Sequence, residues 1–232
     1  MMAGMYSVHA TYRGTSLRRA EYVRQVADAL GNAHNVIEVR VHGPEEFTVL
    51  ADDADSAAGV VMNLIQAGDF AVGIGAVLGD GGDNTDDTAD AADAALRDHL
   101  VADAADAALR DHLVAAAARA VRGARRPGII QARVETPGPG GVQASGLGAD
   151  IAGDIAAAFT LVSHVLSRRT SEGREATALV RQGHLQSEAA EMVGISKQAM
   201  SQRLAAAGWQ AEQAGWLLAV HMLARTETLH PT

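Results

Sequence analysis

The tightest restriction on the fold comes from the stretch Gln186 to Leu204, which reads QSEAAEMVGISKQAMSQRL. It places the small residue Ala190 where two helices would cross. Gly194 follows four positions later, where a tight turn favours a positive φ that glycine adopts without strain. Ser196 is placed to cap a second helix. Because an unrelated helical hairpin rarely meets all these requirements, we predict a helix-turn-helix at 186–204, with a buried face formed by Val193, Ile195, Met200 and Leu204.

In this register the second helix presents a polar face to a DNA major groove, in which glutamine can pair with adenine and lysine can reach guanine. Arg203, Arg181 and Arg174 are candidates for phosphate contacts. The alternative is an ordinary helical hairpin whose polar face is simply solvated. The predicted DNA-binding residues are Ser196, Lys197, Gln198, Ser201, Gln202 and Arg203.

The charge is divided unevenly along the chain. Residues 1–167 hold 12 arginines and 22 acidic residues, whereas residues 168–232 hold six arginines, one lysine and six glutamates. A nearly neutral C-terminal part therefore follows an acidic N-terminal part, and only the former suits a nucleic-acid partner. The absence of cysteine excludes disulfides and thiolate chemistry. Since neither an uncharged membrane span nor a signal peptide is present, we expect a cytoplasmic protein without a membrane partner.

The N-terminal part follows the order βαββαβ. Tyr6 to Tyr12 is typical of a strand, and Leu17, Val23, Val26, Ala27 and Leu30 then recur at helical spacing. Two alternating runs around the turn 43–46 predict a hairpin. A second helix, capped by Asp55 or Ser56, should end at Gly68 before the strand Phe70 to Val77.

The middle of the chain is less regular. Gly79 to Asp87 is typical of a solvated loop, with a calcium site as the alternative. Ala89 to Val101 is repeated letter for letter at Ala102 to Val114, which predicts a lengthened helix with one copy partly surplus, because 13 residues rotate the second apolar pair by roughly 140°. Gly128 to Val134 predicts a final strand.

The boundary between two domains should lie in the Pro- and Gly-rich segment 136–150. We therefore predict domains at 1–135 and 151–232. Beyond the boundary, Ile151, Ile155, Phe159, Val162 and Leu166 form an apolar helical stripe that requires a partner. A last helix, 210–225, carries Trp216, for which core or dimer packing is more typical than stacking on DNA.

The hairpin from His42 to Phe47, the strand from Val72 to Gly75 and the run from Ala105 to Leu109 resemble degenerate parts of the GGDEF, or nucleotidyl-cyclase-like, palm. Together with the C-terminal helix-turn-helix, the chain resembles the SatD-like bacterial proteins. The resemblance implies an α+β protein in which a ferredoxin-like palm precedes an all-α helix-turn-helix domain. It covers about residues 5–135 and 170–225.

The departures from the palm pattern indicate a protein that is not an enzyme. An active palm carries a metal-binding aspartate at the end of its first strand, where this chain has Ala10-Thr11-Tyr12. Pro44 replaces a turn glycine, and Glu45 and Glu46 alone do not position two metal ions. His34 and Ile37 stand where the Arg and Asp of a product-inhibition signature would be.

We therefore predict a homodimeric, sequence-specific regulator of transcription that binds double-stranded DNA. Its palm would be inactive, without metal or cofactor, and would serve as a dimerising or sensing domain with room for a nucleotide effector. Two alternatives remain. The helical module could dock a protein partner, or the palm could be a divergent nucleotidyl cyclase.

Overall fold

The protein is an α+β protein built on a six-stranded mixed sheet. The computed structural model describes residues 5–79, 92–138 and 141–229. The elements are β1 (Tyr6–Tyr12), α1 (Arg19–Gly31), β2 (Val36–Val41), β3 (Glu46–Ala51), α2 (Ala54–Ala67), β4 (Phe70–Val77), α3 (Ala92–Ala120), β5 (Ile130–Gly138), β6 (Gly141–Ala144), α4 (Gly146–Ser167), α5 (Ser171–Arg181), α6 (Gln186–Met192), α7 (Lys197–Ala206) and α8 (Trp209–Thr228).

The predicted order βαββαβ is confirmed over the first six elements. The strands lie in the order β2-β3-β1-β4-β5-β6, and the pairs among β2, β3, β1 and β4 are antiparallel. β5 runs parallel to β4, so α3 is the crossover connection between these two strands. β6 returns antiparallel to β5.

The two faces of the sheet differ in chemistry. On β1, Tyr6, Val8, Ala10 and Tyr12 belong to the main hydrophobic core, which also includes residues of α1, α2, α4 and α8. The alternate residues Ser7, His9 and Thr11 are also buried, but outside that core. Because side chains alternate along a strand, one face is apolar and the other is polar. α3 covers the polar face by packing on β1, β4 and β5.

Two glycines of β4 allow α3 to approach the sheet. A Cβ atom on Gly73 would lie 2.1 Å from the carbonyl oxygen of Ala117, and one on Gly75 would lie 2.7 Å from that of Leu113. Neither position can carry a side chain unless the helix moves. The predicted Gly-containing strand therefore owes its glycines to helix packing.

From Ala92 onward the duplicated segment lies within a single long helix, as predicted, since α3 runs from Ala92 to Ala120. The second copy docks on the sheet. Leu113 is fully buried, Asp111 accepts a hydrogen bond from Arg40 at 2.5 Å, and His112 is hydrogen-bonded to Glu135. The predicted loop, and with it the calcium alternative, lies outside the described residues except for Gly79.

The segment 136–150, predicted as a linker, contains the end of β5, the strand β6 and the start of α4. The Pro-Gly composition is that of a hairpin turn in the sheet. The apolar stripe of α4 also finds its partner within the chain, because Ile151, Ile155 and Phe159 belong to the sheet core. Among the described helices, only α4 is long and apolar enough to cross a membrane. Its most apolar 18-residue stretch has a mean hydropathy of 1.4, and 39% of that stretch is buried inside the protein.

Two local predictions in the N-terminal part were wrong. Leu17 lies before α1 and is fully exposed, because the helix begins only at Arg19. α2 begins two or three residues earlier than predicted, and its cap is Asp53, whose carboxylate accepts a hydrogen bond from the Ser56 amide at 2.6 Å. The predicted end of α2 at Gly68 is confirmed, with φ of 77°.

α8 belongs to two hydrophobic cores. Its residues Ala219, Val220 and Leu223 lie in the sheet core, whereas Trp209 packs on the small core formed by α5, α6 and α7. The Tyr6 hydroxyl donates to the Glu227 carboxylate at 2.6 Å, which fastens the C-terminal end of α8 to β1. We refer below to residues 171–206, which comprise α5, α6 and α7, as the module, and to the rest as the body.

Candidate nucleic-acid interface

The turn between α6 and α7 has the geometry that the sequence predicts. Gly194 has φ of 69°, in the left-handed region. Ser196 is the N-cap of α7, and its hydroxyl accepts a hydrogen bond from the Ala199 amide at 3.2 Å. A Cβ atom on Gly194 would meet nothing within 4 Å, so this position requires glycine for its backbone angle and not for space.

The buried face of the motif is also confirmed. Met200 and Leu204 of α7 are buried against Ala189 and Ala190 of α6 and Ala176 of α5. Ala190 is 2% exposed, consistent with a small residue at a helix crossing. Leu179, Val180, Val193 and Ile195 are partly buried around this core.

The predicted DNA-binding side chains belong to the N-cap of α7 and to the helix itself. All but Arg203, which is half-buried, are exposed: Ser196, Lys197, Gln198, Ser201 and Gln202. The Ser196 hydroxyl accepts the capping hydrogen bond with one lone pair, so its O–H group and its second lone pair remain for a partner. Lys197 and Gln198 lie in the first turn of α7, the part of a recognition helix that usually contacts base edges.

A buried ionic cluster fastens the module to the body. Glu212 of α8 lies between two arginines, with its Oε2 atom 2.6 Å from Arg169 Nη2 and its Oε1 atom 2.6 Å from Arg181 Nη2. The side chains of Arg169 and Glu212 are each 3% exposed. Arg169 Nε also donates to the Ala207 carbonyl at 2.7 Å, just beyond α7. The cluster therefore connects α5, the end of α7 and α8.

This cluster changes the assignment of one predicted phosphate contact. The guanidinium of Arg181 is bound to Glu212 and lies 5.8 Å from the centre of the Trp209 ring, so it has a structural role. Arg174 lines a cavity between α5 and the body. Arg203 remains a candidate for contact with a phosphate group.

Both tryptophans pack inside the protein. Trp209 contacts the module core and Trp216 contacts the sheet core and a small cluster formed by Met62, Val162 and Leu166. The contacts of these two partly buried rings agree with the packing interpretation made from the sequence.

The end of β1, where an active palm has its metal-binding acid, is occupied by a cation. Arg13 follows the strand, donates through Nε to the Ala124 carbonyl at 2.7 Å and lies 3.7 Å from Glu45. Arg19 lies 2.8 Å from the other oxygen of Glu45. Glu45 is thus paired with two arginines. No group of three or more potential metal ligands occurs in the described ranges.

Sequence reasoning missed the polar cluster beneath α3. Nδ1 of His9 and Nε2 of His42 each lie 2.8 Å from the Thr48 hydroxyl, and the two rings are 5.7 Å apart. Burial, with a smaller contribution from His42, lowers the pKa of His9 to about 4. The alternation of Ser7, His9 and Thr11 with apolar residues was the available signal for a second buried face.

Glu135 is a second buried group on this face. Its side chain is 3% exposed and interacts with Arg133 on its own strand and with His112 and Arg119 of α3. Burial alone would raise its pKa, but the hydrogen bonds from Arg133 and His112 hold the pKa below its usual value. Glu135 therefore helps to fix the position of α3.

No family model, curated protein or solved structure matches this chain in the comparisons made.

Proposed function

We propose that the protein is a sequence-specific DNA-binding regulator of transcription that reads DNA with α7. The proposal is carried by the contrast in exposure among the side chains of this helix. Met200 and Leu204 are buried and stabilise the module, whereas Lys197 and Gln198 are exposed and have no packing role. The capped, glycine-turned geometry of α6 and α7 supports the interpretation as a DNA-binding helix-turn-helix.

The body is proposed to be a catalytically inactive palm. The antiparallel order β2-β3-β1-β4 supports a ferredoxin-like palm and the resemblance to SatD-like proteins. The pairing of Glu45 with Arg13 and Arg19 disfavours the metal-dependent chemistry of a cyclase, because two guanidinium groups already neutralise that carboxylate. Incubation with GTP or ATP and magnesium should therefore give no cyclic product; turnover lost on Glu45→Ala would contradict this.

A homodimer in the cytoplasm completes the proposal. One module offers few cations, and two half-sites about 34 Å apart would double the phosphate contacts. The core-facing stripe of α4 is used within the chain, so the exposed leucines of α4 and α8 are the residues left for an interface. These are Leu147, Leu161, Leu217 and Leu218, which are 40%, 65%, 54% and 43% exposed.

A second candidate function is docking of a protein partner through the module. Leu185 and Met192, at the two ends of α6, are 65% and 59% exposed, although they are large and apolar. Exposed apolar residues on a helical module are typical of protein contacts. DNA binding that depends on α7 and on salt would favour the first candidate, because only phosphate contacts release counterions.

The experiment that tests the proposal is selection of bound sequences from random duplex DNA, followed by affinity measurements on the preferred site. Gln198→Ala should weaken binding by about 1–3 kcal/mol if it removes a bidentate base contact, and should relax the preference at that position. If Lys197 contacts a guanine, Lys197→Ala should weaken binding and relax the preference at that base. If it contacts a phosphate group, Lys197→Ala should weaken binding to all sequences equally and reduce the dependence of affinity on salt concentration.

Matched controls exist in the same chain. Arg18→Ala removes an exposed cation from the body, and Gln213→Ala removes an exposed glutamine from α8. Both should leave the preferred site and its affinity unchanged. The proposal fails if the double change Lys197→Ala and Gln198→Ala leaves affinity and sequence preference intact in a folded protein.

A further inference from the structure

A cavity separates the module from the body. It has a volume of about 480 Å³, within the range of sites for small molecules. One wall is α5, which supplies Arg174, Thr177, Ala178 and Arg181. The opposite wall comes from the C-terminal ends of α2 and α4 and from the turn at Pro127 and Gly128. A molecule in this cavity would therefore contact both parts of the protein.

The cavity carries an excess of positive charge. Arg169, Arg174 and Arg181 line it, and no acidic residue does so in the described part of the chain. Arg169, which is buried, and Arg181, which is about a third exposed, share the single carboxylate of Glu212, so the cluster holds one more cation than anions. Arg174 forms no salt bridge with any described residue. An anion in the cavity would be stabilised because these cations outnumber the one carboxylate that pairs with them, and guanidinium groups bind oxyanions by charge-assisted hydrogen bonds.

The remaining walls are apolar or hydroxylic. Ile65 and Leu166 contribute apolar surface, and Ser163, Ser167 and Thr177 contribute hydroxyl groups. Gly68 and Gly128 lie at the wall, and a Cβ atom on either would meet nothing within 4 Å. Arginine forks match the geometry of carboxylate and phosphate oxygens. The chemistry of the walls thus suits an oxyanion joined to an apolar body.

We propose that this cavity binds a small organic anion, a carboxylate or a phosphate ester, and that the anion adjusts the position of the module on the body. Binding of the anion does not depend on the proposed function, whereas its effect on DNA binding rests on that function. The ligand would pair with Arg174 and with the excess cation of the cluster around Glu212. Since α5 packs on α6 and α7, displacement of α5 would move the recognition helix.

The absence of cysteine in the chain allows a direct test. Ala178→Cys places one thiol in the cavity wall, and its rate of alkylation by neutral iodoacetamide reports access to the cavity. Phenyl phosphate or benzoate should slow alkylation at least tenfold at saturation, and the more effective of the two identifies the preferred oxyanion. Benzyl alcohol, which has the same ring without the charge, should give no protection. Ala211→Cys, exposed on α8, is the matched control and should be alkylated equally with and without the anions.

Calorimetry on the natural chain should give a Kd of about 1 mM or tighter for the protecting anion. Arg174→Gln should weaken that binding at least tenfold. The site is overturned if neither anion protects Ala178→Cys, if both cysteine variants are protected alike, or if Arg174→Gln binds as the natural chain does. None of these measurements contains DNA, so they stand apart from the proposed function. An anion that binds but leaves the affinity for selected DNA unchanged would overturn the regulatory role alone.

Discussion

The body and the module are stabilised in different ways. The body core includes Tyr6, Phe47, Phe70 and Phe159, all almost fully buried, and lies between the apolar face of the sheet and the helices α1, α2, α4 and α8. The buried core of the module contains five residues, of which three are alanines: Ala176, Ala189, Ala190, Met200 and Leu204. So small a core buries little apolar area.

The module compensates for its small core with polar interactions to the body. Arg181 of α5 pairs with Glu212 of α8, Arg169 donates a hydrogen bond to the Thr177 hydroxyl of α5 at 3.4 Å, and Trp209 packs on the module core. The exposed side chains of α7 consequently have no structural role. The module therefore provides the exposed surface, whereas contacts with the body provide much of the stability of the module.

The largest effect is expected on removal of Glu212. Glu212→Ala leaves Arg169 buried without a counterion, which should lower the free energy of unfolding by about 3–5 kcal/mol. The module should unfold before the body. Trp209 packs on the module core and Trp216 on the sheet core. Urea titrations followed by tryptophan fluorescence would therefore separate the two transitions, because Trp216→Phe leaves only Trp209 as a reporter of the module and Trp209→Phe leaves only Trp216 as a reporter of the body.

The matched control replaces the pair together. Arg169→Met with Glu212→Leu removes both buried charges and should be far less destabilising than Glu212→Ala alone. Arg181, about a third exposed, can then be solvated. A single transition in which both tryptophans report the same loss would contradict the separate stabilisation of the module.

The next effect concerns acid and lies in the body. The pKa of His9 is about 4 in the folded protein against 6.5 when the chain is unfolded, so the unfolded chain binds the extra proton between these values. The free energy of unfolding should therefore fall by about 3 kcal/mol as the pH is lowered from 6.5 to 4. His9→Asn should flatten this dependence in urea titrations, whereas His184→Asn, in the module, should not. If the free energy of unfolding of His9→Asn depends on pH as it does in the natural chain, another group is responsible for the loss of stability in acid.

A smaller effect is expected at the turn of the module. Gly194→Val forces a β-branched residue to φ of 69°, which should lower the free energy of unfolding by about 2 kcal/mol. Gly194→Asn should lose less than half of that, because asparagine tolerates the left-handed region. An added Cβ meets no neighbour, so the difference between the two variants measures backbone strain alone. Equal Tm values for both variants would contradict this explanation.

The smallest effect is expected from deletion of one copy of the duplication. Removal of 89–101 or of 102–114 gives the same sequence, in which the remaining copy is still followed by Ala116 and Ala117. The docked contacts survive, so the free energy of unfolding should change by less than about 1 kcal/mol. The first copy cannot replace the second in the full chain, because Asp103 would then occupy the buried position of Ala116. Thermal unfolding of the shortened protein provides the measurement, and a large loss would show that the N-terminal half of α3 carries stability.

The sequence predicts the features that depend on local periodicity and turns. The order βαββαβ, the helix end at Gly68 and the turn at Gly194 all follow from nearby residues. Partners distant in the chain could not be predicted in this way. The pairing of Arg169 with Glu212 and the approach of His9 to His42 arise only when helices and strands pack. Composition also misled at 136–150, because proline and glycine serve hairpin turns as well as linkers.

The sharing of α8 between the two cores gives it a mechanical property. A helix of 20 residues is a stiff rod of about 30 Å. One end is anchored at Glu227 on β1 and the other carries Trp209 and Glu212 beneath the module. A tilt of about 5° around the anchored end would displace the far end by roughly 2.5 Å, comparable with the helix shifts that switch regulatory proteins. α8 would therefore act as a lever, because a small tilt at its anchored end would be amplified at the end that holds the module.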